Sequence, residues 1–81
     1  MFYVYTLISQ ADRKRYYIGI TKDLKERLKE HNQGKVNYSK RYAPWKIGTY
    51  TFIDNEELAY RFEKYLKSGS GHAFLKKHLL P

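Results

Sequence analysis

Two short stretches decide the fold, FYVYTLI at residues 2–8 and YYIGI at residues 16–20. Both are rich in β-branched and aromatic residues, which is typical of β-strands. The segment between them is short and polar, so the two strands are predicted to pair as an antiparallel hairpin. This hairpin is the frame on which the candidate site is built.

The hairpin carries a tyrosine on each strand. Alternation places Tyr3, Tyr5 and Leu7 on one face of the first strand, and Tyr17 with Gly19 on one face of the second. A strand tyrosine usually fills the core, with its hydroxyl bonded to a neighbour. Two phenols on adjacent strands can instead act together, although a phenol serves as a general base only if cations or a metal lower its pKa from about 10.

Residues 23–31 are predicted to form a helix that follows the hairpin, with Asn32, Gln33 and Gly34 as its stop. Thr21 or Asp23 is suited to cap it. On a helical wheel Leu24, Leu28, Arg27 and His31 fall within about 100° of one another. Arg27 and His31 should therefore point partly inward.

These two side chains bring cationic and proton-handling groups towards the tyrosines. The Arg27 guanidinium can grip a phosphate with two hydrogen bonds, and His31 can position a water or carry a proton. The alternatives are a surface ion pair of Arg27 with Glu26 or Glu30, and a purely structural role for His31.

The remaining pattern predicts a basic aromatic loop, a strand and two helices. The loop covers residues 35–46, the strand Ile47–Ile53 with a bulge at Gly48, the first helix runs from Asp54 or Asn55 to about Lys67, and the last from about His72 to Leu79 after a break at residues 68–71. The order ββαβαα indicates an α+β fold in which helices cover a small, at least partly antiparallel sheet.

The penultimate helix contributes one carboxylate of interest. Its predicted apolar face consists of Leu58, Ala59, Phe62, Tyr65 and Leu66, and Glu63 lies at the edge of that face. A single carboxylate with waters and phosphate oxygens suits magnesium, which keeps several of its waters. The alternative is a salt bridge from Glu63 to Lys64 or Lys67.

The composition favours a polyanionic partner. The 81 residues, expected to form one domain over 1–81, include 16 basic and 8 acidic side chains, a net charge of +8. In the 35–46 loop, cations alternate with rings that can stack on bases, as in nucleic-acid interfaces. The cations are Lys35, Lys40, Arg41 and Lys46. The alternatives are a basic domain without such a partner, and core packing for Trp45.

Other compositional features narrow the class of protein. The chain has no cysteine, which excludes disulfides, thiolate zinc sites and cysteine nucleophiles and fits a cytoplasmic protein. The apolar start is too short for a signal peptide, and no stretch approaches the roughly 20 apolar residues that span a bilayer. We therefore expect no membrane partner.

Taken together, these motifs resemble the GIY-YIG nucleases over nearly the whole chain. The matching elements are Tyr3-Val4-Tyr5, Tyr17-Ile18-Gly19, Asp23-Leu24, Arg27-Leu28, His31-Asn32, Pro44-Trp45, and Ala59 with Glu63 and Leu66-Lys67. Each is weak alone, but their order and spacing are specific. The chain is most similar to small single-domain bacterial members related to the N-terminal nuclease domain of the ABC excinuclease.

The resemblance implies a three-stranded antiparallel sheet flanked by helices and a metal-dependent endonuclease acting on DNA, in repair or recombination. It implies an active site of Tyr5, Tyr17, Arg27 and Glu63, with His31 as a further site position. Magnesium or manganese would bind Glu63, with no small-molecule cofactor. By analogy, Tyr5 is favoured as the general base, with Tyr17 assisting.

Two positions depart from the family pattern. Tyr3 replaces the glycine of the first motif on the face of the site, where its bulk is expected to crowd the site. Ile20 stands where the excinuclease domain carries a lysine, which leaves Lys22 as the nearest replacement cation. These departures and the small size keep two alternatives open: a DNA-binding module with little or no activity, and a structural partner in a repair complex.

Overall fold

The computed structural model describes residues 1–80 as a small sheet with helices on both faces. The strands are β1 (Phe2–Ser9), β2 (Tyr16–Thr21) and β3 (Trp45–Ile53). The helices are α1 (Leu24–Asn32), α2 (Asn37–Lys40), α3 (Glu56–Leu66) and α4 (Gly69–Phe74), and a π-helical turn covers Leu75–Leu79. The α+β class and the hairpin are confirmed. Within residues 1–80 no helix is long and apolar enough to cross a membrane.

The sheet is antiparallel with β1 in the centre, in the order β2-β1-β3. Between β1 and β3 the register shifts: Thr6 pairs with Thr49, whereas Leu7 pairs with Ile47. Gly48 is the extra residue on β3, so the predicted bulge is confirmed.

Each face of the sheet has its own core. On one face, Phe2 and Val4 pack with Ala59, Leu66 and Leu75 of the C-terminal helices. Tyr5 and Leu7 point to the other face, where they pack with Trp45 and with α1. The alternation predicted for β1 thus separates a structural face from the face that carries the phenols.

The helix α1 begins at the predicted place and has one of the predicted residues as its N-cap. Asp23 is the N-cap, and its side chain accepts a hydrogen bond from the Glu26 backbone N–H. Asn55 plays the same part for α3, where it accepts from the Leu58 N–H. Leu58 was predicted to lie on the apolar face of α3, and this prediction was wrong, because its side chain is exposed. Of the five residues predicted for that face, Ala59 and Leu66 are buried.

The prediction of a continuous loop over residues 35–46 was wrong. The segment contains α2, and β3 already begins at Trp45. The side-chain amide of Asn32 bonds to both the N–H and the C=O of Trp45, and the indole N–H of Trp45 donates to the Ser39 carbonyl at 2.8 Å. Trp45 is buried, so the core alternative is confirmed for it. These tertiary contacts, rather than local propensity, fix the segment.

The predicted break at residues 68–71 exists but is shorter, because α3 ends at Leu66 and only Lys67 and Ser68 lie between it and α4. Ser68 caps α4, which begins at Gly69, and the predicted last helix from His72 is the continuation of α4 into the π-helical turn. Gly71 is buried against the end of α3. Its role is close helix packing, not chain breaking.

Substitution of Gly71 by alanine should destabilise the protein strongly. A Cβ at this position would overlap the Tyr65 carbonyl oxygen, so the helices must separate. We expect the free energy of unfolding to fall by about 1–3 kcal/mol or more, as for other overpacked sites. Urea denaturation measures it.

Gly69→Ala is the matched control, because a Cβ added at Gly69 would meet nothing within 4 Å. Alanine should leave the stability unchanged or raise it by up to about 1 kcal/mol through helix propensity. Equal loss in the two variants would contradict the packing role of Gly71.

Candidate active site

The ring of Tyr5 lies across the sheet towards β2. Tyr5 pairs with Gly19 in the register of the hairpin, and a Cβ on Gly19 would overlap the Tyr5 hydroxyl. Only the absence of a side chain at Gly19 lets the ring occupy this position. Tyr5 is 2% exposed, and its hydroxyl faces α1.

The Tyr5 hydroxyl joins the sheet to α1 through two side chains. It lies 3.1 Å from Nε2 of His31, and Nε of Arg27 donates to it at 3.4 Å. Both helix residues therefore point inward, as the helical wheel predicts. Arg27 also donates from Nη1 to Glu30 at 3.1 Å, so the ion pair considered as an alternative exists alongside the contact with the phenol.

His31 is held on its other side by Ser39 of α2. Nδ1 of His31 bonds to the Ser39 hydroxyl, which in turn donates to the Val36 carbonyl at 3.3 Å. Because the hydroxyl proton is used on Val36, its oxygen accepts from Nδ1–H of the ring. Nε2 then carries a lone pair and accepts the proton of the Tyr5 hydroxyl.

Burial and the Arg27 charge set the protonation of this pair. Desolvation and the neighbouring Arg27 cation lower the pKa of His31 to about 4. Desolvation raises the pKa of Tyr5 above 10, against the opposing hydrogen bond from Arg27. At neutral pH the phenol and the imidazole are therefore both neutral, beside one fixed cation.

Tyr17 is the more accessible of the two phenols. Its ring stacks 6.4 Å from that of Tyr5 and meets His31 edge-on at 4.6 Å between centroids. Its outer side meets Tyr38 at 5.9 Å and borders a cavity of about 240 Å³ that Lys67 also lines. Solvent and ligands can reach Tyr17 from this cavity, whereas Tyr5 is enclosed.

Glu63 is a partly buried residue of α3. Its side chain is 18% exposed, and Nζ of Lys67 contacts Oε2 at 3.1 Å, so the salt bridge considered as an alternative is present. The carboxylate lies near enough to Tyr5 to be among the groups that raise its pKa, after burial and with Tyr17. Glu63 thus belongs to the same electrostatic environment as the phenols.

This donor set fits a hard cation that keeps most of its waters. Within residues 1–80 no three His, Cys, Asp or Glu side chains gather to hold a metal ion. Magnesium does not need such a cluster, since it is commonly bound through one carboxylate plus substrate phosphates. Glu63 is the residue that could supply that carboxylate.

The predicted nucleic-acid cations are exposed, and they lie outside the hydrogen-bonded cluster around Tyr5. Lys35, Lys40, Arg41 and Lys46 line the surface of the α2 segment and the start of β3. Nζ of Lys22 lies 5.2 Å from the ring centroid of Phe2, whose side chain belongs to the opposite face of the sheet. The structure therefore does not bring Lys22 to the tyrosine pair.

Tyr3 does not occupy the space beside Tyr17. Its ring packs edge-on against Tyr50 and Phe52 of β3, at 5.8 and 5.6 Å between centroids. Because β2 and β3 flank β1 on opposite sides, this side chain turns away from the phenol pair.

Sequence reasoning missed two supporting residues. Ser39 orients His31, and Tyr38 covers the outer side of Tyr17. Both come from α2, whose tertiary placement no spacing rule indicates. The contact of Lys67 with Glu63, by contrast, has a local signal in the spacing of four residues on one helix.

Comparison with known proteins identifies the family. The model of the GIY-YIG catalytic domain matches residues 1–77. The chain belongs to the GIY-YIG family.

Its relatives include small GIY-YIG-type proteins. The chain is 35% identical over 77 residues to UPF0213 protein YsiG of Lactococcus lactis subsp. lactis (strain IL1403), covering 94% of this chain and 70% of that one. The solution NMR structure of UPF0213 protein BH0048 from Bacillus halodurans is 30% identical with a TM-score of 0.56, covering 95% of this chain and 84% of that one. The GIY-YIG fold expected from the sequence is thus confirmed.

The buried His31 makes stability depend on pH. In the unfolded chain His31 takes up a proton near pH 6.5, whereas the folded state resists protonation until about pH 4. The unfolded state therefore binds more protons in this window, and stability should fall as pH drops from about 6.5 to about 4.

The contribution of His31 is isolated by comparison with His31→Gln. We expect the difference in the free energy of unfolding between the two proteins to shrink as pH is lowered through this window, measured by urea denaturation. The imidazole resonances of folded His31 should remain those of a neutral ring at about pH 5. Parallel stability curves for the two proteins would contradict the buried neutral assignment.

Proposed function

We propose that this GIY-YIG protein is a metal-dependent endonuclease that hydrolyses phosphodiester bonds in DNA. The observation that carries the proposal is the meeting of Arg27 and His31 at the Tyr5 hydroxyl, with Tyr17 stacked beside it. Structural packing alone does not call for a cation, an imidazole and two phenols at one point. The family match and the charge of +8 support the same activity. In this proposal the protein acts in the cytoplasm, in DNA repair or recombination.

Arg27 is the proposed phosphate ligand. Its side chain is 36% exposed, with Nε on Tyr5 and Nη1 on Glu30. Two contacts fix the plane of the guanidinium while part of it remains open to solvent. A guanidinium held in advance can stabilise the negative charge that develops on a phosphate during cleavage without first reorganising.

Glu63 is the proposed ligand of a divalent ion, magnesium or manganese. When bound, such an ion would supply charge neutralisation at the phosphate and a nucleophilic water. The ion pair with Lys67 keeps the carboxylate in place at the edge of the site.

The two phenols have different proposed roles. Because burial raises the pKa of Tyr5, it keeps its proton at rest and shares it with Nε2 of His31. Tyr5 therefore orients Arg27 and His31, while Tyr17, beside the open cavity, meets the attacking water. This division reverses the order expected from the family resemblance, in which Tyr5 is the base.

A specific observation favours the second candidate function, a DNA-binding module without cleavage. Lys67 occupies Oε2 of Glu63, and the pKa of Tyr5 is raised, not lowered as a base requires. Binding of DNA that weakens with salt, without metal-dependent cleavage, would favour this candidate. Failure to bind DNA at low salt would remove both candidates.

Glu63→Gln should reduce cleavage at least about 100-fold, since it removes the proposed metal ligand while keeping the size of the side chain. The assay uses labelled single- and double-stranded DNA with magnesium or manganese. Glu57→Gln is the control, because Glu57 lies exposed at the start of the same helix. No cleavage by the wild type, or equal cleavage by both variants, would overturn the nuclease proposal.

Tyr5→Phe and Tyr17→Phe should separate the roles of the phenols. Loss of the Tyr5 hydroxyl leaves His31 and Arg27 without their partner, so the free energy of unfolding should fall by about 1–3 kcal/mol. Tyr17→Phe should abolish cleavage with little change in stability, because Tyr17 is partly exposed. Retention of cleavage in Tyr17→Phe would contradict its contact with the attacking water.

A further inference from the structure

An aromatic cluster lies open on the same face of the sheet as the site. Tyr3 packs edge-on between Tyr50 and Phe52, with ring planes at 67° and 62°. Tyr50 is 59% and Phe52 50% exposed. Large rings are rarely left in water side by side without a partner, and such patches mark interaction surfaces.

The cluster lies on the same face of the sheet as the proposed phosphate site, on the β3 side of the central strand. Tyr50 is the cross-strand partner of Tyr5, and Tyr3 stands two residues before Tyr5 on the same strand and face. Paired residues on neighbouring strands have Cα atoms only about 5 Å apart. A strand that places a phosphate at Arg27 and continues along this face towards β3 therefore passes over these rings.

The edge of the cluster near α1 carries a cation. A cavity of about 420 Å³ runs between Tyr3, Tyr50 and the start of α1, and Lys25 lines it. Lys22 also borders this cavity, but its ammonium lies over the Phe2 ring on the other face of the sheet. Asp23 also lines this cavity, but its carboxylate is engaged as the N-cap of α1. Exposed rings bordered by a lysine complement a strand whose bases are apolar on their faces and whose backbone is anionic.

We propose that Tyr3, Tyr50 and Phe52 form an aromatic platform that stacks with unpaired bases of the bound nucleic acid. The proposal rests on the proposed function, since it names the kind of strand that the site accepts. Bases inside a duplex already stack on one another and hide their faces, so the platform favours a substrate with unpaired nucleotides beside the scissile phosphate. The residue that departs from the family motif, Tyr3, is then part of the platform.

Binding in the absence of divalent metal tests the platform without any cleavage. Two labelled strands of about twelve nucleotides are compared, one of thymidine and one with the same backbone lacking bases. Phe52→Leu and Tyr50→Leu keep an apolar side chain but remove the ring. The control is Tyr60→Leu, on α3, where Tyr60 is 50% exposed like Phe52.

Phe52→Leu and Tyr50→Leu should weaken binding of the thymidine strand by about five-fold to a hundred-fold and leave binding of the abasic strand unchanged. Tyr60→Leu should change neither. Unchanged binding in the platform variants, or equal loss on both strands, would overturn the platform. So would sedimentation showing that the wild type self-associates through these rings and that Phe52→Leu is monomeric.

The outcomes are separable from those of the nuclease proposal. Selective loss of thymidine binding in a protein that never cleaves DNA would support the platform and refute the nuclease. Metal-dependent cleavage by a protein whose Phe52→Leu variant binds normally would do the reverse.

Discussion

The candidate site depends on the crossing of the Tyr5 ring over Gly19. This crossing places the phenol hydroxyl of β1 beneath α1, where His31 and Arg27 meet it. Any larger residue at Gly19 would displace the ring, and both helix side chains would lose their common partner. A glycine in the middle of a strand weakens the sheet locally, so its presence here has a positional cause.

The contacts continue from this hydroxyl through the rest of the α1 face. His31 bonds to Ser39, and the Ser39 carbonyl accepts the indole N–H of Trp45, the first residue of β3. The central strand is thus tied through α1 and α2 to the edge strand on its other side. The imidazole stays neutral in this enclosed network because its protonation would place a second cation beside Arg27. The phenol stays neutral because its ionisation would place a negative charge in a poorly solvated space.

The sequence predicts the parts of this arrangement that follow from periodicity. Alternation brings Tyr5 and Gly19 to one face, and the helical wheel turns Arg27 and His31 towards them. It does not predict α2 or the place of Ser39. A four-residue helix has no periodic signal. Its Ser39 carbonyl accepts the indole N–H of Trp45, and the backbone of Trp45 is in turn held by the Asn32 side chain at the end of α1.

The predicted break between α3 and α4 is too long for a related reason. The run Ser68 to Gly71 contains residues that usually break helices, yet Gly71 is required where α4 meets the Tyr65 carbonyl. In each of these cases tertiary packing overrides a local preference.

The departure at Tyr3 has a similar explanation. Crowding of the site was expected because the motif places a glycine there, but β1 is the central strand. A side chain on this face can lean towards β2 or towards β3, and the contacts of Tyr3 with Tyr50 and Phe52 place it towards β3. The face is thereby divided between an enclosed polar cluster on the β2 side and an open aromatic one on the β3 side. The two proposed surfaces, one for a phosphate and one for bases, therefore occupy different halves of one small sheet.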